Sequence, residues 1–493
     1  MLNWIGFLMS SFALILAHFL WIRAVPGMHG DEAMIGLLAH RVANEPGYWP
    51  IYGSMSTYTT TLCNYLSSLG FKIFGTSILV YRGAGMVQVI LGVWLISLAF
   101  WIAKERRAAL LFPAIIGFFP SIVMNHRWVV ELTNFTVLCT GIVALGLSLR
   151  WKKGPSIGAY LLILFGIFLG VTSHILLFAP AITLWYCLFV SGKIQTRSDR
   201  IATALCAISL IPFYIMIHQF PENDKTWMFF GVTALLVAIH TAPVRWFTFS
   251  DKIKRVLLLT PAILGCIFLV PFVLFSEGAW LAKFSTGILE TKYLIGTIAI
   301  PIGLMLFFRY REGWRPKTLA AFCYHPICLL VIYAMVQKAG PRYLEVPYLY
   351  FAGALTLGFA RLKNKLALCA VGLWAILGTA QLGINYFKPS LEEKQISVIY
   401  RLWRWRDGSS GFVPKLRLIR RLRDEGCAFS DLRENQWTEL IFLSLGDWPA
   451  PEHRPCRLGK NLWFETDNDF GAPEQPEKGI FREGQFRIMA DPK

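Results

Sequence analysis

Between residue 4 and about residue 387 the chain returns repeatedly to apolar runs of roughly 17–25 residues, each long enough to carry a helix through a bilayer core at about 1.5 Å of rise per residue. With 55% hydrophobic residues, 16% charged residues and a mean hydropathy of +0.50, the composition is that of a multi-spanning membrane protein rather than a soluble globule. Passes are expected at about 4–24, 79–103, 108–125, 130–149, 155–172, 174–191, 201–219, 228–243, 256–275, 293–308, 318–337, 346–360 and 366–386, about thirteen in all. The expected fold class is an α-helical polytopic membrane protein.

A formal charge of +18 would suit a nucleic-acid binder if the basic residues formed one surface. Here most fall in short clusters between apolar runs: KERR (104–107), RWKK (150–153), GKIQTRSDR (192–200), VRWFTFSDKIKR (244–255), RYREGWRPK (309–317) and RLKNK (361–365). These clusters occupy alternate turns, so the positive-inside rule places them in the cytoplasm and argues against nucleic acid as a partner. The N-terminus is then cytoplasmic, and residues 25–78 and the tail from 388 lie outside the cytoplasm. Arg23 is the exception near the first pass, and a single long side chain can snorkel to the interface. The start lacks a basic n-region and carries an apolar stretch longer than a signal-peptide core, which reads as a signal anchor, with AVPG leaving cleavage open as the alternative.

The first outer loop has internal order. EAMIGLLAHRV and TTTLCNYLSSLGFKIFG each repeat apolar residues every three to four positions, as two helices lying in the membrane interface do. Between them, NEPGYWPIYGSMSTY mixes aromatics and turn formers. In the tail, residues 396–423 are basic and aromatic and suit an anionic lipid surface, and a compact α/β unit is expected beyond them. Eight of the ten cysteines sit in or beside apolar segments. Cys427 and Cys456 stand in the polar tail and could pair in an oxidising compartment.

Five stretches recur together in a known pattern: GDEAMIGLLAHRV after the first pass, WPIYGSMSTYTTTLCNYLSSLGFKIFGTSILVYR, an acidic residue at the outer start of the fourth pass in NHRWVVELTNF, GIFLGVTSHILLFAP, and GPRYLEVPYLYFAGAL. In these the chain resembles the GT-C superfamily of polyprenyl-phosphate-sugar glycosyltransferases, on the branch that includes glycosyltransferase family 39 and aminoarabinose transferase-like proteins. The resemblance implies a GT-C-like membrane domain over 1–387, with interfacial helices in 25–78, and an extracytoplasmic domain over 388–493. It implies a bacterial cytoplasmic (inner) membrane, a polyprenyl-phosphate-linked sugar as donor, and a glycolipid, polysaccharide or protein as acceptor. Three positions depart from the pattern: TTTL stands where relatives often have a Pro-Pro-Leu-like element, His174 where they often have Lys, and Glu131 where they often have Asp.

The reaction requires a base for the acceptor hydroxyl and positive charge for the departing phosphate. A phosphate leaving group needs little help from a general acid, so inversion calls for one carboxylate base. The resemblance points to Asp31 for that base, with Glu32 orienting it or the acceptor; the plain alternative is that both acids form the first turn of an interfacial helix. Glu131 is a second acidic candidate, at the acceptor or at a metal, or else a salt-bridge partner of Arg127 four residues earlier. The superfamily's lipid-phosphate site resembles Arg342 and Tyr343, with Arg342 as the cationic clamp or a snorkelling interfacial residue. Arg82 could assist or merely anchor its helix, and His174 could contact phosphate or be structural. His29 is a weaker candidate. A divalent cation held by Asp31, Glu32, His126 and Glu131 stays open, with Mg²⁺ or Mn²⁺ suiting the oxygen ligands and Zn²⁺ suiting added histidine.

Two other classes compete. A lipid-linked saccharide flippase or transporter should carry its ionisable groups at mid-membrane, often in two repeated halves. An O-antigen-type polymerase or ligase would be membrane-bound without this early acidic pair.

Overall fold

The apolar runs near both ends of the membrane region form helices in a computed structural model of the chain. The structure describes residues 2–20, 22, 30–47, 64–127, 129, 131–173 and 345–387, together with 198, 201 and short parts of 418–489. α1 spans Leu2–Phe19, α2 Gly30–Asn44, α3 Asn64–Phe74, α4 Ile78–Ile102, α5 Arg106–Gly117 and α6 Pro120–Arg127. A π-helical turn, Glu131–Phe135, leads into α7 (Thr136–Lys153); α8 (Ile157–Ser173), α9 (Glu345–Arg361) and α10 (Asn364–Phe387) follow. The passes expected between 174 and 337 lie outside the described residues.

Among the described residues, two helical stretches are long and apolar enough to cross a membrane, Ile78–Ile102 and Thr133–Arg150. α4 starts cleanly because Ser77 is extended and its Oγ accepts from the Val80 N–H at 3.2 Å. The pass expected at 108–125 is two helices. Pro120 disfavours a helical Phe119 and takes the first position of α6, where its missing N–H costs nothing. The pass expected from 130 starts with the π-turn, so the continuous helix that would set Arg127 beside Glu131 is broken: α6 stops at Arg127 and Val129 is not helical.

Leu14, Val89, Val93, Phe112, Ile115, Val137, Leu349 and Ala352 are buried together where α1, α4, α5, α7 and α9 meet. Large apolar groups face outward on α1 (Trp4, Leu8, Phe12), α8 (Leu161, Phe165) and α10 (Leu373, Ile376), as contact with lipid requires. α3 turns Phe71 inward against Tyr81 and most of its other apolar groups outward. It exposes Leu66, Leu69, Ile73 and Phe74 and buries Ser67 and Ser68, which suits an interfacial position. At the opposite end, Arg361 meets Glu105 at 3.5 Å, which joins the KERR and RLKNK clusters at one end of the bundle.

In a bilayer the lipid is as apolar as leucine, so close helix packing depends on small residues that let backbones approach. α4 and α7 cross at Gly92 and Gly141: a Cβ on Gly92 would lie 2.5 Å from Val137 O, and one on Gly141 would lie 2.6 Å from Gly92 O. Gly92→Ala is therefore expected to destabilise the protein by about 1–3 kcal/mol through overpacking. Gly83→Ala, on the same helix but with nothing within 4 Å, is expected to be silent. Thermal denaturation of the detergent-purified variants checks the ranking; equal melting temperatures would refute the close crossing.

In the tail, β1 (Trp463–Thr466), β2 (Phe481–Glu483) and β3 (Phe486–Met489) form an antiparallel sheet in the order β1-β3-β2. Ile488 pairs with Phe464 on one side and Phe481 on the other. Cys427 and Cys456 form a disulfide.

Candidate functional site

The two acids of the first loop fall in the first turn of α2, where negative side chains are favoured by the helix dipole. The side chain of Asp31 lies outside the described residues. Glu32 does more than sit at a helix start. It is 0% exposed and holds Arg82, also 0% exposed, in a two-pronged pair: Nε donates to Oε1 at 2.9 Å and Nη2 to Oε2 at 2.8 Å. Arg82 Nη1 donates to Ile22 O at 2.8 Å, and the Val129 N–H approaches Glu32 Oε1 at 3.4 Å. Desolvating two charges is expensive, and only such matched, hydrogen-bonded geometry makes it tolerable. The pair therefore fixes the start of α2 against the start of α4. Arg82, a candidate phosphate contact in the sequence, turns Nε and Nη2 to Glu32 and Nη1 to Ile22 O.

The other end of α2 is tied by a histidine. Asn44 Nδ2 can only donate, so at 3.1 Å it assigns His40 Nδ1 as an acceptor, which also takes the Thr76 hydroxyl at 2.8 Å. Burial holds the His40 pKa below the usual histidine value, consistent with a neutral ring next to the Ser77 cap of α4.

A second buried network surrounds the end of α6. Arg127 Nη2 donates to Ala17 O at 3.0 Å and to Leu20 O, and so meets carbonyls at the end of α1. Tyr81 Oη donates to Val129 O at 2.7 Å, and Asn134 Nδ2 to His126 O at 2.5 Å. His126 lies between His18 and Glu345: its Nδ1 is 2.9 Å from His18 Nε2 and its Nε2 is 2.6 Å from Glu345 Oε1. Asn125 Nδ2 donates to the other Glu345 oxygen at 3.0 Å, and His18 Nδ1 faces Leu14 O at 2.8 Å. Segment 125–129 thus joins α1, α2, α4 and α9.

Of the sequence candidates, the structure brings Glu32 and Arg82 into contact and sets His126 in the neighbouring network. Glu131 opens the π-turn, with its side chain outside the described residues; such turns often occur at functional positions. His29, His174, Arg342 and Tyr343 also lie outside. For a metal, the fit is poor at both described candidates, since each Glu32 oxygen faces Arg82 and each His126 ring nitrogen faces a protein group. Among the described residues no group of three His, Cys, Asp or Glu side chains could hold a metal ion. Sequence reasoning missed His18, Asn125, Asn134 and Glu345. The usable signal was that an ionisable group in an apolar segment requires a partner.

No protein-family model and no curated protein matches the chain. Among solved structures, it is similar to the archaeal oligosaccharyltransferase AglB from Archaeoglobus fulgidus, in complex with an inhibitory peptide and a dolichol-phosphate, at 14% identity and TM-score 0.49, covering 77% of this chain and 56% of that one. A second Archaeoglobus fulgidus oligosaccharyltransferase structure, tethered with an acceptor peptide, matches at 14% identity and TM-score 0.47, over 77% of this chain and 55% of that one. The apo structure of ArnT from Cupriavidus metallidurans matches at 13% identity and TM-score 0.33, over 72% of this chain and 77% of that one. The chain thus spans little more than half the length of the two oligosaccharyltransferases. With all three TM-scores below one half, the GT-C reading rests on the chain's own motifs.

Proposed function

We propose that the chain is an extracytoplasmic membrane glycosyltransferase that moves a sugar from a polyprenyl phosphate to an acceptor hydroxyl with inversion. Asp31 takes the hydroxyl proton as the oxygen attacks the anomeric carbon. The bond from that carbon to the phosphate oxygen breaks, and its electron pair leaves on the polyprenyl phosphate, whose charge Arg342 receives with Tyr343 beside it. The observation that carries this reading is the buried Glu32–Arg82 pair, which sets the residue before Glu32 at a fixed place on the bundle, as a base that must meet its substrate in one geometry requires.

Among the described residues the buried ionisable groups gather at one end of the bundle: the end of α1, the starts of α2 and α4, the end of α6 and the start of α9. A transferase working at one membrane face needs that arrangement, whereas a flippase needs such groups at mid-depth. The Cys427–Cys456 disulfide supports an oxidising, extracytoplasmic compartment for the tail. Deleting the gene is expected to accumulate a polyprenyl-phosphate-linked sugar and remove one modification from an outer glycan, lipid or protein, as read by mass spectrometry. Unchanged lipid and glycan profiles would overturn the proposal.

A further inference from the structure

We infer that His18, His126 and Glu345 form one proton-sharing strap that positions the first turn of α9 against the end of α6. The strap ties three helices together: His18 lies at the end of α1, His126 at the end of α6 and Glu345 at the start of α9. All three side chains are buried, and the contacts between them measure 2.9 and 2.6 Å.

Proton counting gives the strap its character. Leu14 O can only accept, so His18 Nδ1 carries a hydrogen. Three arrangements then satisfy both remaining contacts: a cationic His18 with neutral His126 and a Glu345 carboxylate, a cationic His126 with the same carboxylate, or two neutral rings with Glu345 as the carboxylic acid. All three hold the same number of protons and have no net charge, and each passes to the next by moving one proton across one contact. Removing that proton sets two lone pairs against each other somewhere in the string, and adding one sets two N–H or O–H groups against each other. Asn125 Nδ2 satisfies the second Glu345 oxygen in every case. Arg127 is the neighbouring fixed cation, and its Nη2 is committed to the end of α1.

The strap also bears on the transfer site, and this part rests on the proposed function. Glu345 follows Arg342 and Tyr343 by three and two residues in the sequence. Segment 125–129, which holds Glu345 through His126 and Asn125, also meets Glu32 through Val129. His18, His126 and Glu345 are positioning residues in this arrangement, linking the proposed phosphate clamp to the helix that carries the proposed base.

Two variants of the full-length protein separate shared-proton positioning from plain packing. Glu345→Gln mimics the acid form: its amide can donate to a neutral His126 while its carbonyl accepts from Asn125. It is expected to keep the wild-type melting temperature, wild-type hydrogen exchange at the first turn of α9, and a donor KM within about twofold of wild type. Glu345→Ala loses both contacts. It is expected to expose that turn to exchange and raise donor KM on the order of tenfold with a smaller change in kcat, because the clamp is displaced rather than removed. If Glu345→Gln is as damaged as Glu345→Ala, the contact requires a fixed ion pair and the shared proton is refuted. If Glu345→Ala leaves exchange and donor KM unchanged, the positioning role is refuted. Melting and exchange read the strap even if the wild-type protein transfers no sugar, so a failure of the functional reading is distinguishable from a failure of the strap.

Discussion

Asp31→Asn is expected to lower sugar transfer by about 10²–10⁴-fold while leaving donor affinity within a few-fold of wild type, because a positioned general base contributes rate on that scale and an amide of the same shape cannot accept the proton. The fold should survive the change. Asp31 lies in the first turn of α2, where a negative side chain contributes about 0.3–1 kcal/mol through the helix dipole, a small term beside the buried Glu32–Arg82 pair that holds the same turn in place. Purified protein, a polyprenyl-phosphate sugar and an acceptor extract suffice for the measurement, with donor binding measured separately. Turnover within tenfold of wild type, with the donor bound normally, would remove Asp31 as the base.

The helices read most directly from the sequence are those whose apolar runs are bounded by charge. α4 was expected at 79–103 and spans Ile78–Ile102, and α10 was expected at 366–386 and spans Asn364–Phe387. Run length decides such cases because the bilayer thickness is fixed. Breaks inside a run were harder to read: Pro120 was visible, but the apolar stretch continued through it, and the π-turn at Glu131–Phe135 has no sequence signature.

The site was half legible for a related reason. Asp31 and Glu32 stand out as adjacent acids beside the membrane, but the partner of Glu32 lies 50 residues away and depends on how the start of α2 meets the start of α4. His18 was hidden inside an apolar anchor, and Glu345 inside the motif that drew attention to Arg342. Arg127 stands four residues before Glu131, but the helix on which that spacing counts ends at Arg127, and Arg127 Nη2 reaches back to the end of α1. Each of these residues is an ionisable group in an apolar context, so the need for a partner was legible, whereas the partner's identity was a tertiary fact.

The second large effect is one of stability. Arg82→Met is expected to destabilise the protein by about 3–5 kcal/mol, since it leaves the Glu32 carboxylate buried without its counter-ion, and Glu32→Met should cost about as much by stranding the guanidinium. Combining the two removes both charges and fills the space with side chains of similar volume, and replacement of a buried pair by apolar groups is often neutral or better. Full recovery is not expected, because Ile22 O loses its donor at 2.8 Å, a term of about 1 kcal/mol. The double variant should therefore be more stable than either single one and slightly less stable than wild type, with a coupling energy well above the ~0.6 kcal/mol typical of hydrogen bonds between membrane helices. Melting temperatures of the four proteins in one detergent give the cycle. If the two losses simply add, Glu32 and Arg82 do not hold each other, and the anchor on which the placement of Asp31 depends is gone.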